Sequence, residues 1–169
     1  MLQRSIIPLL FLSSVAMGQL KNSIDADNTT HKSRKGIFEI TYNKNQWQQS
    51  DSASKWDAEF HDTYKLINIY FIEYDIFIPH ENIKKTIQAQ YEAFGKIKNI
   101  KIYDKTINTM KGSYFECRLN YNNYKFVYQG FLYNGPAGTM EIQFGMQEET
   151  KNQYQNTVDA FCNGIKQIK

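Results

Sequence analysis

The sequence predicts an α+β fold: one antiparallel sheet of about six strands flanked by two helices, an α/β/α sandwich. Three observations carry this. Apolar and polar residues alternate through several short segments, the period of a strand. The spacing changes to three and four in two places only, residues 81–94 and 150–168. The late strands follow one another as hairpins, which impose antiparallel pairing.

Ahead of that fold, residues 1–18 read as an export signal. Arg4 supplies one positive charge, and residues 5–15 form a short apolar run around Ile6, Ile7, Leu9, Leu10, Phe11 and Leu12. Ala16-Met17-Gly18 fits cleavage before Gln19, and Ser14-Val15-Ala16 offers a second cut. Pro8 interrupts the run, which is too short to span a bilayer. The expected compartment is the periplasm or the exterior. Residues 19–35 carry Asp25, Asp27, Thr29 and Thr30 with no apolar period, so a flexible polar lead is expected. Asn28-Thr29-Thr30 is a glycosylation acceptor in a eukaryotic host. Residues 36–169 are expected to form a single domain.

Within it, Phe38, Ile40 and Tyr42 alternate with Ile37, Glu39 and Thr41 and predict a first strand, closed by the turn at 43–45 before Trp47. Residues 56–63 are a second strand, with Ala58 and Phe60 on one face. Residues 66–78 are apolar on both faces, as in a strand covered from two sides, and Pro79 stops them. Ile83, Ile87, Tyr91 and Phe94 then share a helical face, and Gly95 suits its end. Residues 100–106, 114–121, 124–133 and 139–147 are four further strands. Thr150 with Gln153 suggests a capping box for a last helix reaching about residue 168, with Tyr154, Val158, Phe161, Cys162 and Ile165 on one face.

The hairpins suggest registers. A two-residue turn at Asn122-Asn123 pairs Cys117 with Tyr128 and Leu119 with Phe126. A longer turn over 134–138 pairs Leu132 with Met140 and Tyr128 with Phe144. One face then holds Phe115, Cys117, Leu119, Phe126, Tyr128, Leu132, Met140, Ile142, Phe144 and Met146, suited to lie under a helix. The opposite face holds Tyr114, Glu116, Arg118, Gln129, Phe131, Tyr133, Glu141 and Gln143, a mixed surface able to bind a protein or a glycan. These eight are the candidate binding residues.

The early strand ending near a Trp (Phe38 to Trp47), the long strand with Pro79 before a helix, the hairpin series and the closing amphipathic helix resemble the PsbP-like superfamily over about residues 36–168. That superfamily includes the photosystem II extrinsic subunit and small bacterial envelope proteins. The resemblance implies an antiparallel sheet between helices and a noncatalytic scaffolding or binding role. It supplies no functional residues.

Charge and chemistry narrow the function. Without residues 1–18, which carry Arg4 alone, 19 basic side chains face 17 acidic ones, a net charge of +2. That balance argues against nucleic acid or an anionic membrane as partner. The cluster His31-Lys32-Ser33-Arg34-Lys35 reads as a solvated linker. Thiol catalysis needs a His beside Cys117 or Cys162, and nothing in the sequence places His31, His61 or His80 there. The three dispersed histidines lack zinc-site spacing, so no metal is expected. There is no phosphate loop, dinucleotide fingerprint or G-x-S-x-G elbow, so no cofactor and no catalytic residue is assigned.

Glu116 and Glu141 would share a face two strands apart, roughly 10 Å between backbones, as in an inverting glycosidase. Arg118 beside Glu116 makes an ordinary ion pair the simpler account. Cys117 on the apolar sheet face and Cys162 on the last helix's apolar stripe would meet in the core as a disulfide in an oxidising compartment. The expected function is an exported, noncatalytic binding or scaffolding protein acting through a protein partner. Alternatives are a small carboxylate-dependent hydrolase, a carrier of an apolar ligand and an exported immunity or inhibitor protein. A convergent acidic cleft, an empty apolar cavity or an open aromatic face would discriminate among these classes.

Overall fold

The structure, a computed structural model, describes residues 27–50, 56–92, 95 and 97–168. The export signal and its cleavage sites lie outside the described residues. The chain order is β1 (Asn28–Lys32), β2 (Phe38–Asn43), β3 (Trp47–Gln49), β4 (Ala58–Asp62), β5 (Ile67–Tyr74), α1 (His80–Tyr91), β6 (Ile97–Ile107), β7 (Met110–Tyr121), β8 (Tyr124–Gly135), β9 (Gly138–Gln147), α2 (Lys151–Asn163) and β10 (Ile165–Gln167). Seven strands form an antiparallel sheet in the order β3-β4-β5-β9-β8-β7-β6, and β1-β2-β10 form a small second sheet. This is the α+β architecture expected, with more strands.

The large sheet divides two cores. On one face, Ile67, Ile69 and Phe71 of β5, Met140, Ile142, Phe144 and Met146 of β9 and Phe131 of β8 meet Phe38 and Ile40 of β2 and Val158, Phe161 and Cys162 of α2. Four aromatic rings, Tyr42, Trp47, Phe60 and Phe144, lie 5.0 to 6.2 Å from the Phe161 ring. On the other face a smaller cluster packs Ile83, Ile87 and Tyr91 of α1 onto Phe115, Cys117 and Leu132. β5 shows why it reads as apolar on both sides. One face is buried beneath β2 and α2, while Asn68, Tyr70, Ile72 and Tyr74 on the other are half-buried.

Several expectations are corrected. The polar lead is not structureless throughout, because residues 28–32 form β1 and pair with β2 from Asn28↔Asn43 to Lys32↔Glu39. His31 of that strand packs edge-on against Phe60 at 5.8 Å. The last helix ends at Asn163 rather than near 168, and residues 165–167 return as β10 alongside β2. Gly164 permits this. A Cβ there would sit 1.9 Å from the Thr41 carbonyl oxygen, in the crossing where the Thr41 amide donates to the Gly164 carbonyl at 2.9 Å. Thr150 makes no side-chain cap to α2; its hydroxyl donates to the Gln147 carbonyl instead.

The β7–β8 register is as expected, with Cys117↔Tyr128 and Leu119↔Phe126. Asn122 and Asn123 both have positive φ, 48° and 68°, as a two-residue hairpin turn requires. The β8–β9 register is off by one. Asn134↔Thr139 and Gly135↔Gly138 pair, so the turn is Pro136-Ala137 alone, and Leu132 faces Glu141 rather than Met140. That step turns every β9 side chain over. Cys117 packs under α1, while Cys162 lies on the buried side of α2 at the opposite face of the sheet, so the expected disulfide does not form and both are free thiols.

Candidate functional site

The face expected to bind is closed. Tyr114, Gln129, Phe131 and Tyr133 lie on the α2 side and are buried. Only Glu116 and Arg118 on that side reach solvent. Lys151 at the start of α2 contacts Glu116 Oε2 at 2.5 Å, while Arg118 bridges Glu116 at 3.1 Å and Glu148 at 2.6 Å. Burial acts to raise the Glu116 carboxyl, but the hydrogen bond and charge of Lys151, with Arg118 and Lys101, outweigh it and lower it. This is a positioned ion-pair network without a vacancy for substrate.

Glu141 and Gln143 face the other way, beneath α1. Glu141 is fully buried. Its Oε2 accepts from Tyr74 Oη at 2.5 Å and from Gln90 Nε2 at 3.0 Å, and its Oε1 accepts from Gln143 Nε2 at 2.7 Å. Tyr91 Oη donates to Gln143 Oε1 at 2.5 Å, and Gln143 Nε2 also reaches Gln90 Oε1 at 2.8 Å. Every donor is neutral. Burial therefore dominates and raises the carboxyl above the ordinary range, despite the three hydrogen bonds that act to lower it. Residues of β5, α1 and β9 meet in this cluster, so it fastens α1 to the sheet. Glu116 and Glu141 stand on opposite faces, and the glycosidase-like pair does not exist.

Cys117 and Cys162 are buried, and burial pushes each thiol up to about 12. Among the described residues no three His, Cys, Asp or Glu side chains cluster as a metal site would require. Among the described residues, two side-chain clusters pack between the helices and the sheet.

What remains open is the half of the sheet beside α1. Asn68 of β5, Gly145 of β9 and Tyr128 of β8 lie in one cross-strand row, and Tyr70 follows two residues along β5. Because position 145 has no side chain, the Tyr128 ring lies over β9; a Cβ on Gly145 would come 2.7 Å from its Cε1. Tyr91 supports Tyr128 with ring centroids 4.4 Å apart, and Trp56 lies 5.1 Å from Tyr70. Leu66, 42% exposed, and Phe126 complete a shallow hollow of about 130 Å³ between the two tyrosines. Burial raises both phenols, Tyr128 up to about 12, so both hydroxyls stay protonated at neutral pH. Fixed aromatic rings with polar tips are what protein-recognition surfaces use.

Sequence reading missed this strip because Tyr70 and Ile72 lay in a segment taken as covered on both sides. Gly145 opposite Tyr128 was the available signal, and the shifted β9 register hid it.

No protein-family model matches the chain, and no curated protein matches it in sequence. Solved structures do. Cyanobacterial PsbP (CyanoP) from Synechocystis sp. PCC 6803 superposes with a TM-score of 0.61 at 13% identity, over 85% of this chain and 94% of that one. A protein from Bacteroides thetaiotaomicron VPI-5482 gives 0.56 at 9% identity, over 85% of this chain and 49% of its own length. The Saccharomyces cerevisiae Ran-binding protein Mog1p gives 0.50 at 10% identity, over 81% and 87%. At such identities the likeness is one of fold. The resemblance to the PsbP-like superfamily is one of topology alone.

Proposed function

We propose that this chain is an exported, noncatalytic binding domain that holds a protein partner against the open half of its sheet. The observation that carries the reading is the supported strip of Tyr70 and Tyr128 with Leu66 and Phe126 between them. Large, low-entropy aromatic side chains concentrate binding energy in protein interfaces. The separation of Glu116 from Glu141 removes the best acid pair for hydrolysis. The fold neighbour Mog1p, described as Ran-binding, is a precedent for protein binding on this architecture. The charged, apolar and small-residue order of residues 1–18 supports export. No helix among the described residues is long and apolar enough to cross a membrane.

Site-specific photo-crosslinking in the native host tests this. A crosslinker at Asn68 should capture one protein species that a crosslinker at Asn152, on the exposed side of α2, does not. Replacing Tyr70 and Tyr128 together with Ala should weaken that capture by about tenfold or more. Equal capture at both positions, or capture that survives the double substitution, would overturn the reading. N-terminal sequencing of the same preparation should start at Gln19, or at Met17 for the earlier cut. An intact Met1 would remove the exported compartment.

A further inference from the structure

A second open feature lies along the flank of α2. Two adjoining hollows of about 730 and 360 Å³ share Asn43 and Gln46 of the β2–β3 turn. Tyr154, Thr157 and Phe161 line them from α2 at intervals of three and four. Each volume falls within the range of small-molecule clefts, about 300–1,000 Å³.

The lining is aromatic and amide-rich. Tyr42, half-buried, stacks on Phe161 at 6.2 Å and 27°, and Tyr64 stands 77% exposed at the far end. Asn28, Asn43, Gln46, Asn108 and Asn163 supply five primary amides. The side chains of Asn28, Gln46 and Asn163 are exposed at the groove and make no hydrogen bond to another described residue, which leaves their paired donors and acceptors available.

The groove presents no unpaired charge among its described residues. Its acid, Asp62, is buried and accepts from the backbone amides of Tyr64, Leu66 and Ile67. Its lysine, Lys166, is paired with Glu39 at 2.7 Å.

We infer that this groove binds a neutral oligosaccharide. Sugar rings offer flat C–H faces to tyrosine rings and hydroxyls that both donate and accept, which a primary amide matches in one side chain. A charged ligand would find no free counter-charge. An amphipathic peptide helix would need an exposed apolar socket, and Trp47 and Phe161 on the floor are only 3% and 2% exposed. The groove shares no lining residue with the proposed protein-binding strip.

Nitrogen-15 NMR of the chain, read at the Trp47 indole and the groove amides, tests the inference. The probes are hexasaccharides of β-1,4-glucose, β-1,4-N-acetylglucosamine and α-1,4-glucose, with hexagalacturonate as the acidic control. At least one neutral probe should give saturable shifts confined to Trp47, Gln46, Asn108 and Asn163. Gln46→Ala and Asn163→Ala, both exposed and unbonded, should each weaken binding by about three- to tenfold with unchanged melting. Tyr70→Ala, in the other site, should leave it unchanged. Absence of shifts at about 10 mM of every neutral probe, tighter binding of hexagalacturonate, unchanged affinity in both groove variants, or shifts produced only by an amphipathic peptide would each overturn it.

Discussion

Two carboxylates two strands apart in sequence order have opposite consequences because of what surrounds each. Glu116, drawn down by Lys151 and Arg118, contributes stability that is present above the unfolded glutamate pKa and lost as the pH falls through its lowered folded value. Glu141, raised by burial among neutral donors, has the reverse sign. The folded state holds its proton longer than the unfolded chain does, so its contribution is full below about 4.3, the unfolded value, and is lost as pH rises through the raised folded value. Glu141→Gln should therefore gain on the wild type as pH rises from about 4 to 8. Chemical denaturation of both proteins across that range reads the difference directly. A difference that stayed flat, or moved the other way, would mean that Glu141 is not the buried acid its neighbours make it. The cysteines give a second test at this scale. With Cys117 under α1 and Cys162 on α2 across the sheet, a thiol titration of the denatured, unreduced protein should count two free thiols even after export. One disulfide and no thiols would require the two faces of the sheet to be wrongly assigned.

At the scale of elements, β1 is where sequence and structure part most sharply. Its residues, Asn-Thr-Thr-His-Lys, have no apolar alternation to announce a strand; pairing with β2 and the His31 contact to Phe60 hold it. A chain starting at Gly36 should lose about 2 kcal/mol or more of stability, from the strand's hydrogen bonds and the exposure of β2 as an edge. That lowers the melting temperature by about 5 °C or more in a domain of this size. An unchanged melting temperature would show that β1 is a passive addition. The strands with strong alternation were legible, as was the β7–β8 hairpin, because positive φ at two consecutive asparagines permits a two-residue turn. The β8–β9 hairpin was not. Gly135 and Gly138 read as loop residues, yet both remain in the ladder, and the true turn is Pro136-Ala137. A loop of odd length and one of even length differ by one residue of register, and strand side chains alternate with a period of two. That single step moved Glu141, Gln143, Met140 and Phe144 to the wrong faces. It accounts for the expected disulfide, the expected acid pair and the mixed binding face at once.

Over the whole molecule, the sheet separates two cores of unequal strength, and that inequality has a dynamic consequence. On the α2 side, the small sheet, α2 and all seven strands of the large sheet contribute to one core that includes Phe161, with Phe38, Ile40, Ile165 and Val158 fully buried. On the α1 side, Ile83, Ile87 and Tyr91 meet a short apolar row of β7 and β8, and the rest of the attachment is the polar cluster at Glu141. Burial of aliphatic and aromatic side chains stabilises by about 1.5–3 kcal/mol each, while a neutral hydrogen bond contributes about 0.5–1.5 kcal/mol net. The α1 layer therefore has fewer of the strong contacts and more of the weak ones. It should open as a separate unit at a free energy below that of global unfolding. Native-state hydrogen exchange should show the α1 amides exchanging through a subglobal opening, with those of α2, β5 and β9 exchanging only with the whole molecule. Ile87→Ala should accelerate exchange in α1 selectively, whereas Val158→Ala should accelerate exchange throughout. Equal protection of the two helices would mean that the Glu141 cluster ties α1 down as firmly as the aromatic core holds α2. The proposed protein-binding strip lies beside this weaker layer, and Tyr91 of α1 supports Tyr128 within it. A partner seated on Tyr70 and Tyr128 should therefore slow exchange in α1 while leaving α2 unchanged, a coupling that follows from binding only the closed state.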